Sequence, residues 1–173
     1  MFFLQMAGFP GTGKSTLAKQ IGLLTNAIVL DHDVVKTAIL EDRDEHMDSN
    51  KAGKMAYKVE WALTDYHLSQ GKSVVLDSPC FYTEGLVRGM QLAKKYSVKY
   101  KYIECYLDDF HEVNRRLQNR DRLLSQIEKV ESKDYFQKAL VNSKKPENGM
   151  FLVIDTSSPL ISYIQKAITY LKE

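Results

Sequence analysis

The sequence predicts an α/β protein: an open, doubly wound parallel five-stranded sheet with helices on both faces. Three observations predict it. Short apolar runs alternate with longer amphipathic stretches along the whole chain, the pattern of strand–helix–strand units. Polar or glycine-bearing residues follow several of the apolar runs, at the strand ends where such sheets hold ligands. The composition, 44% hydrophobic and 27% charged over 173 residues, is that of an ordinary globular domain, and a single domain is expected across residues 1–173.

The elements follow in order. Residues 2–7 read as the first strand, 8–14 as a Gly/Pro-rich loop and 15–24 as a helix. Residues 27–30 form a short second strand that runs into Asp31, His32 and Asp33, followed by a short helix over 34–40. The stretch 41–53 is strongly polar, carries Gly53 and reads as a mobile loop or insertion. A helix over 55–70 places Val59, Ala62, Leu63 and Tyr66 on an inward face, and Gly71 and Lys72 end it. Residues 73–77 are a strand and 78–82 a loop. A helix over 84–96 turns Leu86, Val87, Met90 and Ala93 inward. Residues 98–107 are the fourth strand, and 109–122 a helix with Arg115, Arg116, Arg120 and Arg122. Periodicity is weak over 125–133. A helix over 133–144, a turn over 146–149, a fifth strand over 151–155 and a last helix over 159–171, with Pro159 at its start, complete the chain.

Several classes are excluded or disfavoured. Twenty-four basic and twenty-two acidic residues leave a net charge of +2, too near neutral to imply nucleic acid. The acidic stretch of Glu41, Asp42, Asp44, Glu45 and Asp48 also speaks against a basic funnel. The apolar runs are too short to span a bilayer, and the chain opens directly on a strand-like run with no basic leader. Cys80 and Cys105 lack a C-x-x-C spacing and read as free thiols in a reducing cytoplasm. His32, His46, His67 and His111 are scattered and make no zinc site. The guanine-selecting Asn-Lys-x-Asp is missing, because Ala52 and Gly53 follow Asn50 and Lys51. A hydrolytic motor is disfavoured because Ser78 stands where a glutamate would follow Asp77.

One motif carries the chemistry. Gly8, Phe9, Pro10, Gly11, Thr12, Gly13, Lys14 and Ser15 match G-x-x-x-x-G-K-[ST] in full, after a strand and opening a helix. Glycines let the backbone curl so that successive N–H groups point at phosphate oxygens. The helix N-terminus adds donors and partial positive charge. Lys14 reaches the β- and γ-phosphates, the Ser15 hydroxyl is a Mg²⁺ ligand, and Thr16 joins the same turn.

The motif, Asp31 and Asp33 after the second strand, the Val74–Asp77 strand, the arginine-rich helix and the late run from Leu152 to Thr156 together resemble the small P-loop kinases. The nearest group contains the polynucleotide 5′-kinase domain, chloramphenicol phosphotransferase and zeta-toxin-like kinases. The resemblance implies a strand order of 2-3-1-4-5, ATP as phosphoryl donor, Mg²⁺ and an arginine-bearing lid. It assigns Asp33 to the acceptor hydroxyl, the alternative being a helix cap. Arg116 and Arg120, one turn apart, become the lid arginines with Arg122 in reserve; the alternative is a solvated basic face. Asp77 ends its strand as a magnesium-holding carboxylate would, the alternative being a turn aspartate. Lys36 stands where the family has an acceptor-contacting arginine, which leaves substrate choice open because lysine lacks the bidentate fork. Phe81 and Tyr82 lie at the ligand end of the third strand.

The expected activity is phosphoryl transfer to a hydroxyl of a small-molecule acceptor. A polynucleotide 5′-hydroxyl kinase, a toxin-like sugar-nucleotide kinase and a non-catalytic nucleotide-binding regulatory module are the alternatives.

Overall fold

The computed structural model describes residues 1–42, 48–80, 82–147 and 151–173. Five parallel strands form one sheet: β1 (Phe2–Ala7), β2 (Ile28–Asp31), β3 (Val74–Asp77), β4 (Lys99–Tyr106) and β5 (Leu152–Asp155). Their order is β2-β3-β1-β4-β5, the order that the resemblance implies. Helices α1 (Lys14–Thr25), α2 (His32–Glu41), α3 (Ser49–Ser69), α4 (Thr83–Lys95), α5 (Phe110–Gln118), α6 (Lys133–Val141) and α7 (Ile164–Lys172) connect and cover it.

Alternation along β1 divides the core. Leu4 and Met6 face a layer with Leu17, Ala18 and Ile21 of α1 and Ala167, Ile168 and Leu171 of α7. Phe3 faces the other way, onto Trp61 and Leu68 of α3. Burying side chains such as Leu17 and Ile21 contributes roughly 1.5–3 kcal/mol each. A separate cluster of Phe9, Leu107, Val113, Leu117, Val130 and Phe136 joins the loop after β1 to α5 and α6. Cys80 and Cys105 are free and buried, and burial pushes their thiols up to about 11 and about 12.

Three expectations are corrected. First, α3 begins at Ser49, so the polar stretch extends into a helix. Asp48 starts it by accepting the Lys51 N–H at 2.7 Å. Its inner face is Ala52, Gly53, Ala56, Glu60, Trp61, Thr64 and Leu68, whereas Ala62, Val59, Leu63 and Tyr66 point to solvent. Small residues face inward because α2 packs closely here, and hydrophobicity alone selects the longer side chains. Second, Val87 of α4 is exposed, and Gly89 takes the inner place against Phe3, Gln5 and Tyr100. Third, α5 stops at Gln118, so Arg120 and Arg122 leave the helix and enter the connection to α6. Asp44, Glu45, His46, Phe81 and the end of the turn expected at 146–149 lie outside the described residues.

Candidate functional site

At the carboxyl ends of β1, β2 and β3 lies a cleft of about 1850 Å³. Its floor is the motif loop. Gly8, Gly11 and Gly13 have φ of 130°, 86° and 88°, conformations that side chains with a Cβ resist. Gly8 also has no room: a Cβ there would sit 2.3 Å from the backbone oxygen of Cys105. Gly8→Ala is therefore expected to destabilise the fold by about 3 kcal/mol, read as a lower urea midpoint with an unchanged m-value.

The loop is fixed from inside. Thr12, fully buried, donates its Oγ1–H to the Phe9 carbonyl at 2.8 Å, and its backbone N–H bonds the same oxygen at 3.1 Å. Thr156, after β5, has its Oγ1 2.8 Å from the Thr12 carbonyl. Helix α1 starts at Gly13 with no side-chain cap and no acidic residue in its first turn, so its N-terminal field meets the cleft uncompensated. Lys14, Ser15 and Thr16 line the cleft beside it.

Asp77 closes this half. It is 3% exposed, and its Oδ2 has no hydrogen-bond partner. Burial pushes its carboxyl up to about 6; Lys14 and a hydrogen bond from Ser15 oppose that, while Asp31 and Asp33 add to it. A buried orphan carboxylate oxygen beside a hydroxyl suits a hard, oxygen-seeking cation, so Ser15 and Asp77 fit Mg²⁺.

The second half is built on the start of α2. Asp31, not Asp33, is the helix cap: its Oδ1 accepts the Asp33 N–H at 3.0 Å. That frees the Asp33 carboxylate. Gln126 donates its Nε2–H to Asp33 Oδ2 at 2.8 Å, and Ser125 Oγ lies 3.0 Å from the Asp33 carbonyl and 3.4 Å from Oδ1. A loop from the α5–α6 connection thus rests on Asp33. Lys36, one turn further along α2, also lines the cleft.

The arginines separate by role. Arg116 is held by Glu112 at 2.7 Å and by the Thr156 carbonyl at 2.9 Å, which sets its guanidinium beside Gly13. The guanidiniums of Arg115 and Arg116 in turn hold the Glu112 carboxyl down at about 2. Arg120 donates from Nη2 to the Ile127 carbonyl at 2.9 Å, while its buried Nε has no partner. Burial lowers its pKa and Arg122 does the same, while the charge of Asp33 opposes both, so Arg120 lies in the field of Asp33. Arg122 donates to the Gln126 carbonyl at 3.1 Å and steadies the same loop.

The cleft thus brings together Gly11, Gly13, Lys14, Ser15 and Thr16 of the motif with Asp33, Lys36, Asp77, Arg116 and Arg120, while Gly8 and the buried Thr12 shape the loop without lining it. Sequence reasoning missed Ser125 and Gln126, because a non-periodic loop gives no sign of where it folds back. It also missed Glu60, fully buried with its Oε1 2.7 Å from His32 Nδ1. The available signal was a lone acid among inner positions spaced four apart: Ala52, Ala56, Thr64 and Leu68.

A family model described as an AAA domain, AAA_33, matches residues 4–135. No curated protein matches the chain. Among solved structures, a candidate kinase from Chloroflexus aurantiacus j-10-fl is 18% identical, with a TM-score of 0.76 over 98% of this chain and 97% of that one. A sugar kinase from Janibacter sp. HTCC2649 is 15% identical, with a TM-score of 0.66 over 99% and 94%. Kti12 of Chaetomium thermophilum, solved with ADP-AlF3, is 14% identical, with a TM-score of 0.65 over 98% and 98%. The fold of this chain is that of the small P-loop kinases.

Proposed function

The chain belongs to the AAA_33 family, described as an AAA domain, and on that premise we propose that it is an ATP- and Mg²⁺-dependent phosphotransferase acting on a hydroxyl of a small-molecule acceptor. The observation that carries this reading is one cleft holding a backbone phosphate cradle and, next to it, a half-buried carboxylate on α2 under an arginine-bearing loop. A nucleotide-binding module without catalysis has no need of the second half.

Each residue then has a task. Backbone N–H groups of the motif loop and Lys14 hold the β- and γ-phosphates. Ser15 and Asp77 would hold Mg²⁺, which neutralises phosphate charge when bound. Asp33 orients the acceptor hydroxyl and takes its proton. Gln126 takes one acceptor position of this carboxylate and fixes its orientation, which leaves other lone pairs for the acceptor hydroxyl. Arg120 offsets charge on the transferring group, and Arg116 keeps the cradle braced against Thr156.

The test is Mg²⁺-dependent ADP formation from ATP across a panel of sugars, polyols and hydroxy acids, with the product identified as a phosphate monoester by phosphorus NMR. Acceptor-dependent turnover is expected, and Arg120→Ala should lower kcat by roughly 10²-fold or more. ATP bound in the cleft, with ADP formed no faster with any hydroxyl compound than with none, would replace the kinase reading with a regulatory one.

A further inference from the structure

The wall of the cleft beyond Asp33 is formed by the start of α2 and the first half of α3, and it gathers cations. His32, the first residue of α2, is 6% exposed and lines the cleft. Its Nδ1 lies 2.7 Å from Oε1 of Glu60, which is fully buried on α3 and whose Oε2 has no partner. Its ring lies over Tyr57, centroids 4.5 Å apart, and the Tyr57 hydroxyl donates to the Pro79 carbonyl at 2.9 Å. The imidazole is therefore fixed in plane and orientation, while Nε2 has no hydrogen-bond partner among the described residues. A buried carboxylate is costly unless paired, and a buried pair adds little stability over an apolar one. What the pair supplies is an oriented ring edge on a cleft wall.

Lys36 and Lys54 flank it. Lys36 is four residues from His32 on the same face of α2, about 5–6 Å between Cβ atoms. Its Nζ lies across Gly53, where an added Cβ would meet it at 3.9 Å. Lys54 follows Gly53 on α3 and lines the same wall. Neither ammonium lies within 4.0 Å of a carboxylate among the described residues, although Lys54 also feels Asp48. Of the described carboxylates lining the cleft, three are held elsewhere. Asp31 caps α2 near Lys19, Asp33 is held by Gln126, and Asp77 is beside Lys14 and Ser15.

We infer that this wall is a subsite for an anionic group, a carboxylate or a phosphate monoester, carried by the acceptor beside the hydroxyl offered to Asp33. His32, with its Nδ1–H given to Glu60, takes up a second proton on Nε2 as the anion binds and donates it to one anion oxygen, and Lys36 and Lys54 flank the others. The inference rests on the kinase reading and names the acceptor class within it: hydroxy acids or phosphorylated alcohols rather than neutral sugars.

The test fills the phosphate cradle first. The protein is saturated with Mg²⁺ and AMP-PNP, and inorganic phosphate or D-glycerate is titrated in, with glycerol as the neutral control. The His32 ring signals are followed by NMR. A saturable shift with an anion and none with glycerol is expected, with apparent affinity falling about tenfold or more in Lys54→Ala by the same signals, and in His32→Asn by isothermal titration calorimetry. A response to phosphate alone assigns a phosphate monoester, and a response to glycerate alone a carboxylate. Lys54 is exposed, so Lys54→Ala keeps the test valid if His32→Asn fails to fold around Glu60. No saturable shift at tens of millimolar of either anion, in protein that holds AMP-PNP, overturns the subsite. So does a shift that Lys54→Ala and a Lys36→Ala/Lys54→Ala double variant leave unchanged. Protein that takes up no AMP-PNP fails the proposed function itself, and the subsite with it.

Discussion

Asp33→Asn is expected to lower the rate of phosphoryl transfer by about 10²–10⁴-fold while the KM for ATP stays within about twofold. The substitution keeps shape and removes the proton acceptor. The asparagine oxygen can still receive the Gln126 amide, and Ser125 keeps its bond to the backbone carbonyl of residue 33, so the loop that rests there keeps its seat. Helix α2 keeps its cap as well, because Asp31 and not Asp33 accepts the first-turn N–H. The helix loses a negative charge near its N-terminus, worth about 0.3–1 kcal/mol. A structural role alone would therefore appear as a slightly lower melting temperature at unchanged kcat. Steady-state kinetics and a melt on the same preparation separate the two, and unchanged kcat would remove Asp33 from the chemistry.

Asp77→Asn is expected to act in opposite directions on the free and the loaded protein. The carboxyl goes from its ordinary 3.8 in the unfolded chain to about 6 in the fold, chiefly through burial. Between those values the folded state binds the proton and the unfolded state does not. Stability is thus fully present below about pH 4 and is lost as pH rises through about 6. The shift corresponds to roughly 3 kcal/mol at neutral pH. An amide carries no such penalty, so the ligand-free variant should melt roughly 6–12 °C higher than the parent at pH 7. The same change removes the buried anionic oxygen offered to Mg²⁺, so the extra stabilisation that Mg²⁺ adds to bound ADP should largely vanish. Calorimetry with ADP, with and without Mg²⁺, reads both effects. A ligand-free variant less stable than the parent at pH 7 would mean that the ionised carboxylate is well solvated where it stands.

The fold was legible wherever local chemistry and tertiary packing agree. The glycines of the cradle are demanded by backbone angles and by the Cys105 carbonyl, and both demands leave a mark in the sequence. The strands were legible because a sheet covered on both faces needs continuous apolar runs such as Val74–Leu76. Strand order came from resemblance, since no local feature encodes which strands become neighbours. Helix α3 was misread because its buried face is chosen by closeness to α2, which favours Ala52, Gly53 and Ala56 over Val59 and Leu63. Asp31 and Asp33 look alike as caps in sequence, and the strand ending at Asp31 decides between them. Arg120 looked helical because charge spacing continues past Gln118, whereas Asn119 ends α5. The bonds of Ser125 and Gln126 to Asp33 span more than ninety residues, beyond the reach of any periodicity.

The aromatic side chain in the cradle limits how much of the loop can move. Phe9 packs edge-on against Phe136 of α6, centroids 5.1 Å apart, and a Cβ on Gly11 would meet Val113 and Leu117 of α5 at 3.1 Å. Asn114 of α5 exchanges two hydrogen bonds with the backbone of Val130, at 3.1 and 2.7 Å. The posts on which the arginine-bearing loop hangs are therefore welded to the phosphate cradle, and the swinging part shortens to residues 119–129. Whatever position that stretch takes, the phosphate cradle stays where it is, because both ends of the loop are tied into the cluster that holds Phe9.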